Sequence, residues 1–361
     1  MDKEKDRLFF VWLFGVALLG GVAVLAMTAP YGLGITAGSV ASLQAAKNFL
    51  LGNGLSSFDQ AGLPSPLTTH SPVFPLLLSA AWFLGLSFTE WARFLNTAFF
   101  MASIFLAGCI VYRWQGGRFS SLLVSLAFLF CAPLVMSCGI LSSGPLFFVL
   151  VLLWLWASLV YAGSGGRAAL SAAAFCAGLL VLLVFRPAFL SSFNGVPVWF
   201  WIPTLVILVI VLNRPLGYWD TKTISGKVIL FVLVCSFGLA GTLAVRAGVD
   251  LYRSGYGYSS KASGASKLAV TLRSLDDRVP VYSNDPAGVY YFTGRPAVKI
   301  PEGVADRLVM KDDFVKRRAV AVLFTPESFR PGKKWDELAV FAGLEALFKD
   351  GAGNILGVRK K

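Results

Sequence analysis

The sequence predicts a multi-pass α-helical membrane protein, with about seven transmembrane helices, surface helices in a long first outer loop, and a small C-terminal α/β domain. Three observations predict it. Hydrophobic residues make up 56% of the 361-residue chain and charged residues only 14%, whereas a soluble domain is about one quarter charged. Apolar runs long enough to cross a bilayer as helices recur up to residue 247. After Arg246 the apolar body gives way to a segment dense in Lys, Arg, Asp and Glu. A mean hydropathy of +0.70 excludes a cytosolic enzyme and a disordered tail protein. It also excludes a nucleic-acid binder, despite the formal net charge of +13.

The first run, about 8–29, follows Lys3, Lys5 and Arg7. It exceeds the length of a signal-peptide core, so it is expected to remain as an anchor. Further spans are expected at about 93–112, 119–138, 145–163, 168–185, 196–213 and 228–247. The run from Pro72 to Leu86 is short for a span and contains Pro75. If it does not cross, Lys3, Lys5, Arg7, Arg113, Arg118, Arg167, Arg214, Lys222 and Lys227 all fall on one side. The positive-inside rule favours that arrangement, with a cytoplasmic N-terminus and the C-terminal domain outside.

On this topology residues 30–92 form the first outer loop. Two helices are expected in it, about 37–51 and 72–86, lying along the membrane surface. Between them runs a stretch rich in Gly, Asn, Ser and Pro, the residues of turns. Residues 1–250 thus make the transmembrane domain and 251–265, rich in Gly, Ser and Tyr, a linker. Residues 266–361 make the α/β domain. Its expected helices lie near 264–275, 286–292, 311–317 and 334–348. Strands are expected at 279–283, 297–300, 319–324 and 355–358, forming a mainly parallel sheet. Asn284 and Asp285 before Pro286 mark a helix start. No glycine-rich phosphate loop follows any of these strands.

The residues able to carry chemistry are few. Before residue 248 the carboxylates are Asp2, Glu4, Asp6, Asp59, Glu90 and Asp220, and the single histidine of the chain is His70. Only Asp59, Glu90 and His70 fall on the expected outer face, so acid–base chemistry there has two candidate carboxylates. Each has an ordinary structural alternative: a turn residue for Asp59, a first-turn helix charge for Glu90, a loop residue for His70. Arg93 opens one span and Arg186 closes another. A guanidinium at a membrane boundary either snorkels to the interface or holds a lipid phosphate with its planar fork. Arg246 and Lys47 fit ordinary anchors. The five cysteines lie in apolar runs without a CxxC pair, and no metal-ligand spacing is present.

The order of these parts resembles the membrane glycosyltransferases of the GT-C superfamily, in particular bacterial proteins similar to the dolichyl-phosphate-mannose and aminoarabinose transferases. The stretches that carry the likeness are GITAGSVASLQAAKNFLLGNGL (34–55), SPLTTHSPVFPLLLSAAWFLG (65–85), ARFLNTAFF (92–100), SSGPLFFVLVLLWLW (142–156), FRPAFL (185–190) and VYSNDPAGVYYFTGRPAVKIP (281–301). The resemblance implies an enzyme of a bacterial inner membrane, with the C-terminal domain on the periplasmic side. It would move a sugar from a polyprenyl-phosphate donor to an acceptor at the outer face, using no cofactor or metal. Membrane lipids and envelope-assembly proteins are the further partners it implies. It implies lipid-phosphate binding by Arg93 and Arg186, and a loop shaped around His70. It also implies two acidic positions, which Gly38 and Gly144 occupy here. Either Asp59, Glu90 or a carboxylate of the C-terminal domain such as Asp285 serves instead, or the protein is a catalytically degenerate relative. Such a relative would bind a lipid carrier or scaffold envelope glycan assembly. A transporter is the weaker third reading, because no carboxylate lies within the spans.

Overall fold

The computed structural model describes residues 3–58, 62–67, 71–164, 177, 224–276, 279–300, 304–317, 319–324, 344–350 and 353–357. The chain divides into two compact units, residues 1–34 with 68–256 and residues 35–67 with 257–361. The sequence reading kept the whole loop 30–92 with the membrane body. The structure instead groups 35–67 with the C-terminal residues.

The first unit is helical. Helix α1 (Lys3–Met27), α5 (Phe88–Gln115) and α9 (Ile224–Ser254) are long. Each contains a stretch long and apolar enough to cross a membrane. The pair α6 (Arg118–Leu129) and α7 (Ala132–Gly139), bent by 51° at Phe130–Cys131, makes a fourth candidate span if counted together. Helix α8 (Gly144–Ser164) is apolar over its first part. The expected runs at 168–185 and 196–213 lie outside the described residues. Three helices, or four if the bent pair is one span, are therefore candidate spans among the described residues, where the sequence predicted seven along the whole chain.

Close backbone approach sets the helix crossings. A Cβ on Gly20 would meet Ile104 Cδ1 at 2.4 Å, and one on Gly108 would meet both Leu13 and Ser125 at 2.4 Å. Small residues let membrane helices touch in this way. At one end of the unit, Asp6 accepts hydrogen bonds from Tyr112 and Arg118, each at 2.7 Å, tying α1, α5 and α6. Short α3 (Val73–Ser79) and α4 (Ala81–Leu84) fill the expected 72–86 helix and end at left-handed Gly85. The Trp91 indole donates to the Leu77 carbonyl at 2.8 Å and holds α3 to α5.

In the second unit, α2 (Ala37–Leu50) starts with a capping box between Thr36 and Ser39. The sequence predicted a membrane-surface helix here. In the structure its polar face is buried in the protein: Asn48 donates to the Ser56 carbonyl at 2.9 Å, and Gln44 accepts from the Phe58 amide at 3.2 Å. These bonds hold an antiparallel hairpin, β1 (Ser56–Phe58) with β2 (Pro64–Pro66), which the turn-rich sequence did not signal. The Phe58 ring packs on Tyr290 at 5.7 Å. Ile35 forms a parallel bridge with Gly257, and its carbonyl accepts from the Tyr258 amide at 2.9 Å.

The remainder is a five-stranded sheet of β3 (Val281–Ser283), β4 (Val298–Lys299), β5 (Val320–Phe324), β6 (Glu345–Asp350) and β7 (Gly353–Gly357), in the order β4-β3-β5-β7-β6. The expected mainly parallel sheet is corrected to a mixed one. β3 runs parallel to β4 and β5, whereas β7 is antiparallel to both β5 and β6. The expected helix 334–348 is also corrected at its end, because 345–350 is a strand paired with β7; residues 334–343 lie outside the described residues. Successive residues of β5 point to opposite faces of the sheet, and both faces are covered there. Val320 and Val322 pack with Leu268 and Leu272 of α11 (Lys267–Arg273), as does Val289 of α12 (Pro286–Thr293). Ala321 and Leu323 pack with Met310 and Phe314 of α13 (Val304–Arg317). The expected linker holds a short helix, α10 (Lys261–Gly264).

Candidate functional site

The last carbonyls of a helix have no partner within it and carry partial negative charge. At the C-terminal end of α1 that demand is met by Arg93. Its Nε donates to Thr28 Oγ1 at 2.8 Å and its Nη2 to the Leu25 carbonyl, while Thr28 Oγ1 donates to Val24. Half-buried Arg93 thus fastens α5 to α1, and the rest of its guanidinium is what it can offer an anion.

One turn further along α5, the Asn96 side chain is fully buried. Its amide nitrogen donates to the carbonyls of Cys138 and Ile140, at 3.1 and 2.8 Å. Its Oδ1 has no partner among the described residues. Residue Gly34 bridges in parallel to Ile140, donating to the Gly139 carbonyl at 2.8 Å and accepting from the Leu141 amide at 2.9 Å. Asn96 and Gly34 together fix the turn that leads into α8, where Gly144 is buried and donates to Ser142 Oγ at 3.4 Å. Neither Gly144 nor Gly38, the second residue of α2, supplies a carboxylate.

Glu90 is exposed in the first turn of α5. The Ser87 amide and hydroxyl donate to its Oε2 at 3.2 and 2.7 Å, and the Glu90 amide donates back to Ser87 Oγ at 3.2 Å. This is a capping box that closes the helix start. In the second unit Asp285 caps α12, accepting from the Gly288 amide at 3.2 Å and from the Tyr258 hydroxyl at 2.7 and 2.6 Å. Burial first, then the charge of Asp285, holds the Tyr258 phenol protonated well above the ordinary tyrosine range. Asp59, His70 and Arg186 lie outside the described residues. Among the described residues no group of three His, Cys, Asp or Glu side chains could hold a metal.

The structure therefore brings Arg93 and Asn96 together at one end of the helical unit and leaves Glu90 at its rim in a capping role. Sequence reasoning missed Asn96 and the Tyr258–Asp285 pair. An amide within the apolar run ARFLNTAFF was a usable signal for Asn96. The Tyr258–Asp285 pairing, between residues 27 positions apart, left none.

No family model matches the chain, and no curated protein matches it by sequence. Among solved structures, the chain is similar to ArnT from Cupriavidus metallidurans in the apo state. The TM-score is 0.51 at 12% sequence identity, covering 98% of each chain. That likeness shows the fold. Together with the apolar helices it makes the chain a membrane protein of ArnT-like architecture.

Proposed function

We propose that the chain is a glycosyltransferase that moves a sugar from a polyprenyl-phosphate donor to an acceptor at the outer face of a bacterial inner membrane. The observation that carries this reading is the likeness to ArnT along 98% of both chains, rather than over one domain. Transfer requires a base to take the proton of the acceptor hydroxyl as its oxygen bonds to the anomeric carbon. The bond from that carbon to the phosphate oxygen breaks, and polyprenyl phosphate leaves with the electron pair. Cations are needed where that charge develops.

In this proposal Asp59 is the base, because Glu90 is engaged in the capping box with Ser87. The free part of the Arg93 guanidinium and Arg186 face the phosphate, and His70 shapes the loop. The second reading is a degenerate protein that binds the lipid carrier without turnover. It is favoured specifically by glycine at positions 38 and 144. Turnover of labelled polyprenyl-phosphate sugars by Asp59→Asn, Glu90→Gln and Asp285→Asn proteins separates the two. The enzyme reading expects Asp59→Asn to lose about 100-fold or more, with Glu90→Gln and Asp285→Asn retaining most of the rate. Saturable binding of the donor by the wild-type protein without any release of sugar supports the second reading instead.

A further inference from the structure

Helix α9 carries two arginines that the site above does not use. One face of the helix is fixed in the core, where Leu243, Ala244 and Leu251 pack with Met27, Val135 and Cys138. A Cβ on Gly139 would meet Leu251 at 2.5 Å, so the helix cannot roll about its axis without a clash. The opposite face is therefore held outward. Along it lie Phe231, Cys235, Leu239, Thr242, Arg246, Val249 and Arg253, all exposed. Their spacing of three or four residues puts them on one stripe. Phe231 is 69% exposed and Leu239 53%, so the lower part of the stripe, Phe231–Thr242, is an apolar track about 17 Å long.

Arg246 and Arg253 end that track. Seven residues separate them, which is two turns and about 10 Å. Arg246 lies within the candidate span Phe231–Ser254, about 12 Å before its end. An arginine at such depth usually pairs or marks a ligand path. Among the described residues neither arginine makes a hydrogen bond or ion pair. Exposed Asp250, between them along the helix, makes none either, and the trio keeps a net positive charge. Arg93, by contrast, commits Nε and Nη2 to α1.

We propose that this face of α9 is a binding site for a polyprenyl monophosphate, its isoprenoid chain along Phe231–Thr242 and its phosphate held between Arg246 and Arg253. Single-chain length and one terminal anion fit an apolar track that ends in two guanidinium groups. The inference rests on the reading that the substrate is polyprenyl-linked, and adds a second place for the carrier, distinct from the Arg93 site.

The test uses the full-length protein in nanodiscs, a long-chain polyprenyl monophosphate with a diazirine on its chain, and phosphatidylglycerol as competitor. The expected result is saturable binding, weakened about tenfold or more in the Arg246→Gln/Arg253→Gln double variant and resistant to excess phosphatidylglycerol. The Arg246→Lys/Arg253→Lys protein should bind between the two, because charge remains and the fork is lost. Photolabel should appear on the peptide containing Phe231–Thr242. Because both arginines are exposed, the thermal midpoint of the variants should match the wild type, so lost binding is not lost folding. Equal binding by wild type and double variant, with label elsewhere, overturns this site and leaves the polyprenyl reading standing. Equal competition by phosphatidylglycerol reduces the face to an ordinary lipid anchor and overturns it. Absence of any polyprenyl phosphate binding by the wild type overturns both.

Discussion

Arg93 joins α5 to the end of α1 through its bonds to Thr28 and Leu25. Replacing it with glutamine leaves the Leu25 carbonyl and Thr28 hydroxyl without their donor, a loss of about 1–3 kcal/mol. Thermal unfolding in detergent should register that loss, and Arg93→Lys should recover only part of it, since one ammonium does not reproduce the fork. Tyr258 predicts a pH dependence. Its folded-state pKa is raised by burial and by Asp285, so the stability it contributes is complete below the ordinary tyrosine pKa near 10. That contribution declines as pH rises further. Proteolysis of the C-terminal region should therefore accelerate as the pH rises above about 10. Tyr258→Phe should be less stable at neutral pH and flatter in alkali. Residues of this kind were unevenly legible. Glu90 could be read as a helix-start charge, because Ser87 lies three residues before it. The Arg93 tie could not, since Leu25 and Thr28 meet it only through the crossing of α1 and α5.

At the scale of elements, hydrophobic periodicity and capping signals gave good boundaries. Asn284-Asp285-Pro286 opens α12 where it should, and the two helices expected in 37–51 and 72–86 are present. What failed depended on partners distant in sequence. Helix α2 read as a helix lying along the membrane surface, yet its Gln44 and Asn48 are the residues that bind the hairpin. Strand β6 read as helix because its alternation is weak: Ala346 and Leu347 are both exposed, with an irregularity between Ala346 and Phe348. The crossing of Ile35 and Gly257 offers a sharp test. Gly257 has φ +63°, and a Cβ there would lie 2.0 Å from the Ile35 carbonyl oxygen. Gly257→Ala should cost about 1–3 kcal/mol through the backbone conformation alone, and more through the overlap. Faster proteolysis of both 35–67 and the C-terminal segment would register it. Unchanged protection of 35–67 would mean that the bridge does not hold that segment.

The whole molecule pairs an apolar helical unit with a second unit drawn from both the first loop and the C-terminus. Composition alone gave the membrane class, because 14% charged residues cannot cover a soluble surface of this size. The grouping of 35–67 with 257–361 was hidden, since segments so far apart in sequence share no local pattern. The catalytic reading depends on the same global level. The fold is ArnT-like across the chain, while the acids expected at positions 38 and 144 are glycines. The most direct measurement is therefore turnover by the wild-type protein in proteoliposomes, supplied with labelled polyprenyl-phosphate sugars and membrane-extracted acceptors. The account predicts acceptor-dependent transfer, with one polyprenyl phosphate released for each sugar moved. Donor that binds saturably and remains intact with every acceptor would contradict it.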